Sequence, residues 1–335
     1  MEFPRIFKTA VEMCHDRRKK IMKITIAGVG AMGGRYALML SRAGNDVDGI
    51  DGWADNVNAI NEHGLQANFD GEQVVAKIKA YEQTKIDPSA VADLVILFPK
   101  SMQLDGMMQS LKPVITDHTK ILCLMNGIGH EEIIEKYVTR DNIFIGNTMW
   151  TAGMEGPGKL KLFGSGSVAL RNVEDGEAAT AAAKKIVKLL SDAGLNAEYS
   201  DNILYTIYKK ATVNGTMNGL CTILDCNMSE FGSTSTAEDM VVAIVKEFSA
   251  VAAKEGIDLN VPDTVDYIKT TWDPNTIGHH YPSMHQDLIT NHRLTEIDYI
   301  NGVIDRRGKK YGIPTPYCTF LTQLVHAKEQ LLHAK

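Results

Sequence analysis

Lys210, Asn214 and Asn218 recur at every fourth residue. On a helix, positions so spaced stand one above another on a single face. The segment around them, ILYTIYKKATVNGTMNGLCTIL over 203–224, is otherwise mostly apolar. Asn and Gly are poor helix-interior residues, and the two Asn-Gly pairs by themselves would mark turns. A turn reading, however, leaves only very short apolar fragments. One ammonium and two carboxamides on an apolar helix fit a polar stripe facing a cleft; a solvated face or an interhelical polar contact is the alternative. The chemistry of such a stripe is specific. Hydride addition to a ketone puts negative charge on the carbonyl oxygen, so a placed acid must donate a proton and stabilise that charge. Lys210 can do both, and the amides can hold a carboxylate or hydroxyl without changing charge.

Farther along stand Ser283-Met284-His285-Gln286-Asp287 and Thr295-Glu296-Ile297-Asp298-Tyr299-Ile300-Asn301-Gly302. Thr295 with Asp298 has the spacing of a helix cap. Glu296 would then fall in the first turn, where the helix dipole favours its ionised form. Pure capping and a place in the site both remain open for it. His279, His280, His285 and His292 crowd this region without a distinctive ligand spacing, so no metal site is expected.

A second source of chemistry lies near the start, where Gly28-Val29-Gly30-Ala31-Met32-Gly33 forms G-x-G-x-x-G. The first glycine permits the tight turn, the second lets the backbone approach a pyrophosphate, and the third lets helix and strand pack closely. Unpaired N–H groups at the helix start, together with the dipole, favour the phosphates. The motif alone is weak. Here it lies between an apolar strand and a helix, and Asp51 ends a second strand, which together make a dinucleotide site. Asp51 can accept hydrogen bonds from the ribose hydroxyls of the adenosine and would repel a 2′-phosphate. A charge pair at ~4 Å is worth roughly 1–4 kcal/mol, or about fivefold to a thousandfold in affinity. No Arg or Lys occurs in 43–76 to receive a 2′-phosphate. Locally this favours NAD over NADP, unless Asp51 serves only to cap the turn at residue 53.

The elements that must position these residues follow from pattern. Strands are expected at 23–27, 47–51, 74–81, 94–98, 121–125 and 142–150, with an antiparallel hairpin over 157–171. Helices are expected at 31–43, 53–63, after Ser101 and over 175–193. Strands alternating with helices imply a doubly wound α/β sheet of Rossmann type. After Asp201 strand signals vanish, and helical patterns run to the end with breaks at 256–263, 272–282 and 312–316. The expected organisation is an N-terminal extension over 1–21, a cofactor-binding domain over 22–200 and an all-helical domain over 201–335. The cluster Arg17-Arg18-Lys19-Lys20 precedes Met22, but Glu2, Glu12 and Asp16 argue against a transit peptide. An extended start or loose amphipathic arm is expected there, and Met22 is an alternative start.

Bulk properties narrow the class. A chain of 335 residues suits two domains, each with its own core. A formal net charge of −6 gives no basic field for nucleic acid or an acidic membrane surface. No apolar run reaches the length of a membrane span. The 5 cysteines include no Cys-x-x-Cys pair, which suits reduced thiols in a cytoplasmic protein. The sequence does not fix an oligomeric state, and a homodimer stays open.

With these residues in place, the chain resembles the ketopantoate reductases (2-dehydropantoate 2-reductases) over about 22–330. The resemblance rests on the glycine turn, Lys100 with Gln103, Asn126-Gly127-Ile128-Gly129, Lys210 with Asn214 and Asn218, Ser283-Met284-x-Gln-Asp and Thr295-Glu-Ile-Asp-Tyr-Ile-Asn-Gly. It implies reduction of 2-dehydropantoate to (R)-pantoate with NADPH in pantothenate biosynthesis, the route to coenzyme A. It further implies Lys210 as general acid and Glu296 as a cofactor contact. Asn126 matches the junction of cofactor and substrate, and Asn214, Asn218 and Ser283 match substrate-binding positions. Lys100, Gln103 and Ala152 match positions beside the cofactor. The chain departs from the family at Ile50-Asp51-Gly52, where NADPH-using members place an arginine. It departs again at Met228, where an asparagine is expected and Asn227 lies one position off. NAD-linked D-2-hydroxyacid dehydrogenases of the mandelate type are similar to this family and form the alternative. A dinucleotide-binding redox sensor without turnover is the non-enzyme alternative.

Overall fold

The computed structural model describes residues 22–335; the arm expected over 1–21 lies outside them. Twelve strands occur among the described residues. They are β1 (Lys23–Ala27), β2 (Asp46–Asp51), β3 (Leu65–Phe69), β4 (Glu72–Ala76), β5 (Lys79–Glu82), β6 (Leu94–Leu97), β7 (Lys120–Cys123), β8 (Ile143–Thr148), β9 (Ala152–Gly156), β10 (Lys159–Leu162), β11 (Val168–Asn172) and β12 (Ala197–Tyr199). Helices α1 (Ala31–Arg42), α2 (Ala54–His63), α3 (Leu104–Leu111), α4 (Glu131–Ile134) and α5 (Glu177–Asp192) connect them. The main sheet has the order β12-β11-β8-β7-β6-β1-β2-β5. It is parallel except where β11 meets β8. β6 is apolar throughout, and β1 is buried from Ile24 to Ala27, because both of their faces are covered. On one face α1, α5 and the second sheet bury Leu38, Leu160 and Ile186. On the other, Leu104, Met108 and Leu111 of α3 pack against Val95 and Ile121.

Two strand expectations need correction. Residues 74–81 do not form one strand. β4 pairs with β3 in a four-stranded sheet of order β4-β3-β10-β9, whereas β5 joins the main sheet beside β2. Alternation reports which face is buried, not which sheet supplies the hydrogen bonds. The expected hairpin over 157–171 is also divided. β10 pairs back onto β9, while β11 crosses to the main sheet and pairs with β8. The glycines between them serve the crossing, with Gly164 at φ +71°.

After β12 the chain becomes helical, with α6 (Ile203–Leu224), α7 (Met228–Gly232), α8 (Ala237–Lys254), α9 (Val261–Thr270), α10 (Ser283–His285), α11 (Asn301–Tyr311) and α12 (Pro316–Leu331). α6 runs unbroken through both Asn-Gly pairs. Its glycines are there for close packing. A Cβ on Gly215 would lie 2.5 Å from the Phe248 ring of α8, and one on Gly219 would lie 2.6 Å from Leu321 of α12. No helix among the described residues is long and apolar enough to cross a membrane.

Candidate active site

The glycine turn is shaped by contacts that only glycine allows. Gly28 sits at φ +89° and donates its N–H to Ile50 O at 2.8 Å. A Cβ on Gly33 would fall 1.9 Å from Gly28 O, so α1 lies directly on the turn. Gly30 is different: it is exposed, and a Cβ there would meet nothing within 4 Å. The room left over Gly30, facing the unpaired first-turn N–H groups that include those of Ala31 and Met32, is what a pyrophosphate requires. Asp51 supports the turn from β2. Its Oδ2 accepts from Val29 N–H at 2.8 Å, and its Oδ1 accepts from Trp53 N–H at 2.9 Å. Asp51 therefore does cap the turn at residue 53, and the same carboxylate fixes the glycine loop. It stays half-exposed, with lone pairs left to meet a ribose.

The second group of residues is assembled from distant segments. Lys210 points from α6 to the end of β8 and donates from Nζ to Thr148 O at 2.9 Å. Thr148 is itself held from below, its Oγ1 accepting from the buried Tyr36 hydroxyl at 3.0 Å. Burial pulls the Lys210 ammonium down to about 8, and the charge of Glu296 pulls the other way. Asn214 is half-buried and Asn218 buried on the same helix.

Glu296 does not cap its own segment. The turn after it, Ile297–Tyr299, is a short 3-10 turn, and α11 begins only at Asn301. The expected cap pair is absent in that form. Thr295 Oγ1 takes Ile297 N–H at a long 3.4 Å, while Asp298 Oδ1 lies 3.1 Å from His326. The Glu296 carboxylate instead crosses to the sheet domain, where Oε1 accepts from Ser101 N–H at 3.0 Å and from Ser101 Oγ at 2.8 Å. Beside it, Lys100 Nζ donates to Asp287 Oδ2 at 2.5 Å, and Arg293 holds the other oxygen of Asp287 at 2.9 Å. Asn126 is half-buried, and its carbonyl lies 3.4 Å from Ser101 Oγ.

The structure thus brings Lys210, Glu296, Asn126 and Lys100 into one seam between sheet and helices. Gln103 is exposed at the end of the 3-10 turn Ser101–Gln103. Ala152 opens β9 in the second sheet. Ser283 is exposed at the start of α10, which packs on α6. No side-chain hydrogen bond joins these three to Lys210, Glu296, Asn126 or Lys100; Gln103 meets Lys100 through the main chain alone, its N–H donating to Lys100 O at 2.8 Å. Asn227 is spent elsewhere, exchanging capping hydrogen bonds with Glu230 at the start of α7. Among the described residues no three His, Cys, Asp or Glu side chains gather as metal ligands. A cavity of about 280 Å³ borders His130 and Arg307, and Lys210 does not line it.

Known proteins share the sequence and the fold of this chain. The family model for ketopantoate reductase PanE/ApbA matches residues 24–175, and the model for its C-terminal domain matches 202–329. The chain belongs to the ketopantoate reductase family. It is 62% identical over 314 residues to the 2-dehydropantoate 2-reductase of Lactococcus lactis subsp. lactis (strain IL1403), covering 94% of this chain and 100% of the relative. It is 45% identical over 312 residues to that of Streptococcus pyogenes serotype M1, covering 93% and 99%. Among solved structures it superposes on D-mandelate dehydrogenase with NADH and anilino(oxo)acetate at a TM-score of 0.89, with 62% identity and coverage of 94% and 100%. A PanE/ApbA family ketopantoate reductase from Ralstonia eutropha JMP134 gives a TM-score of 0.82 at 28% identity, covering 93% and 100%.

Sequence reasoning missed Ser101, His130, Asp287 and Thr148. Asp287 lay in a quoted motif, and Ser101 lies between Lys100 and Gln103. His130 carries no sequence signal beyond following Asn126-Gly-Ile-Gly, and Thr148 acts through its main chain.

Proposed function

We propose that this protein reduces 2-dehydropantoate to (R)-pantoate with a nicotinamide dinucleotide, with Lys210 as the proton donor. The observation that carries the reading is the half-buried Lys210 ammonium. It is anchored on Thr148 O, faces Glu296, and is pulled to about 8, so that it can give up a proton near neutral pH. When bound, the dinucleotide supplies the hydride. The glycine turn from Gly28 to Gly33 would hold its pyrophosphate, Asp51 would take the adenosine ribose, and Lys100, Gln103, Asn126, Ala152 and Glu296 would contact it. Lys210 Nζ protonates the carbonyl oxygen as negative charge develops there, and Asn126 helps hold that oxygen. Asn214, Asn218 and Ser283 hold the carboxylate and hydroxyl ends of the substrate. The enzyme works in the cytoplasm on this small keto acid. Light scattering in solution reads whether two copies pair as a homodimer.

A second substrate reading has its own support. The structure at 62% identity is a D-mandelate dehydrogenase with NADH, and Asp51 stands where a 2′-phosphate would be repelled. Aromatic or branched 2-keto acids reduced with NADH are therefore the alternative. One assay separates the readings: steady-state kcat/KM for 2-dehydropantoate, phenylglyoxylate and branched 2-keto acids, each with NADH and NADPH. The proposal expects 2-dehydropantoate to lead. Preference for the aromatic acid moves the assignment to the mandelate type, and dinucleotide binding without turnover of any keto acid refutes both.

A further inference from the structure

Behind Glu296 runs a hydrogen-bonded chain that none of the roles above uses. Ser101 is fully buried. Its N–H and its Oγ both reach the same oxygen of Glu296, at 3.0 and 2.8 Å. On the other side, Ser101 Oγ lies 2.9 Å from His130 Nε2. A hydroxyl has one proton to give. If it goes to the Glu296 carboxylate, the oxygen must accept from His130, which sets the ring as the Nε2–H form. The chain then runs from His130 Nε2–H to Ser101 Oγ–H to Glu296 Oε1. Reversing it would require a proton on Glu296, against both the Ser101 amide and the nearby Lys210 ammonium.

His130 is placed for this by more than one contact. Its ring stacks on Tyr299 with centroids 5.3 Å apart and planes 4° from parallel. Tyr299 closes the turn that starts just after Glu296, and its carbonyl accepts from Ile128 N–H at 3.0 Å. A Cβ on Gly127 would meet that carbonyl at 2.6 Å and the His130 ring at 3.2 Å. One imidazole therefore touches the segments that carry Asn126, Lys100 and Glu296. Burial holds the imidazole down at about 4, so it is neutral at working pH and donates without adding charge.

We infer that Ser101 and His130 are positioning residues that hold the Glu296 carboxylate in place on the Lys210 side of the domain seam. The inference rests on the reading of Lys210 as proton donor. The charged groups around Lys210 are few. Glu296 faces it from the helical side, and β8 offers only the Thr148 carbonyl. Lys209, next to it on α6, lies 4.3 Å from the Tyr267 ring centroid. Lys100, Asp287 and Arg293 form their own ion cluster, and Glu131 beside His130 is paired with Arg307 at 3.5 Å. Glu296 is thus the charge that keeps Lys210 protonated against burial, and its orientation sets where the reaction loses its acid.

The test is the pH profile of kcat for keto-acid reduction in the whole enzyme. Ser101→Ala removes the link. His130→Phe keeps the stack on Tyr299 but removes the donor, and His130→Gln restores a donor. The alkaline limb is expected to move down by about one pH unit in Ser101→Ala and His130→Phe, a loss of roughly tenfold in turnover above that limb. His130→Gln and Ser101→Thr should return it toward wild type. Superimposable limbs in all four variants, with only the melting temperature lowered, would show a merely structural role and overturn the inference. A wild-type enzyme lacking any alkaline limb, or a Lys210→Ala variant that turns over normally, would instead bring down the proton-donor reading itself.

Discussion

The two halves of the site are built in opposite ways. The glycine turn is made of main chain: Gly28, Gly30 and Gly33 work by having no side chain, and their partners are the ends of adjacent parallel strands. The Lys210 half is made of side chains from remote segments. The Lys210–Thr148 bond spans 62 residues, Lys100–Asp287 spans 187 and Ser101–Glu296 spans 195. The first half is a shape that exists once β1 and α1 fold. The second exists only when the helical part sits on the sheet, so its charges report on how the two parts are seated. A backbone site should fail through geometry and a side-chain site through chemistry.

The largest effect falls on the side-chain half. Lys210→Ala is expected to lower kcat by about 10²–10⁴-fold with circular dichroism unchanged; near-normal turnover would end the mechanism. The same lysine gives the next effect. Lys210 is the proposed donor in reduction, and its protonated fraction falls about tenfold per pH unit above its pKa. Reduction should therefore fade as pH rises through about 8, while oxidation of the hydroxy acid, which needs the neutral amine, should grow over the same range. A flat profile in both directions would contradict this.

On the backbone side, Gly33→Ala forces a methyl into Gly28 O and should cost roughly 1–3 kcal/mol in a melting or denaturant experiment. Gly30→Ala has open space and should stay within about 0.5 kcal/mol of wild type while raising KM for the dinucleotide. If both substitutions destabilise alike, Gly30 has no separate role in leaving room for a ligand. Asp51→Ala should narrow the preference for NADH over NADPH by a few fold and cost no more than about 1 kcal/mol, through the stranded Val29 amide. A wild type that prefers NADPH would refute this view of Asp51.

The same contrast explains what could be read from sequence. The glycine turn, the strand before it and Asp51 lie within 30 residues and leave a local pattern. The stripe of Lys210, Asn214 and Asn218 was legible because a helix turns spacing into a face. Glu296 was found, but its partner was not. Nothing local says that a carboxylate leaves its own segment to meet Ser101, 195 positions away. His130 was invisible for the same reason. The division of 74–81 and of 157–171 between two sheets was missed because period-two alternation survives a change of sheet.

The continuity of α6 through Asn214-Gly215 and Asn218-Gly219 has a consequence for the chemical lifetime of the enzyme. Asn-Gly is the sequence most prone to deamidation, because the glycine nitrogen can swing round to attack the asparagine carboxamide. In a helix that nitrogen is turned away from the carboxamide, and its N–H is held by the carbonyl one turn back. The two carboxamides proposed to hold substrate are thus shielded from ageing only while α6 is wound. Intact-mass measurement after prolonged incubation should show little gain at these sites in folded enzyme and rapid gain in urea. Equal rates in both would mean that the helix opens far more often than its packing against Phe248 and Leu321 allows.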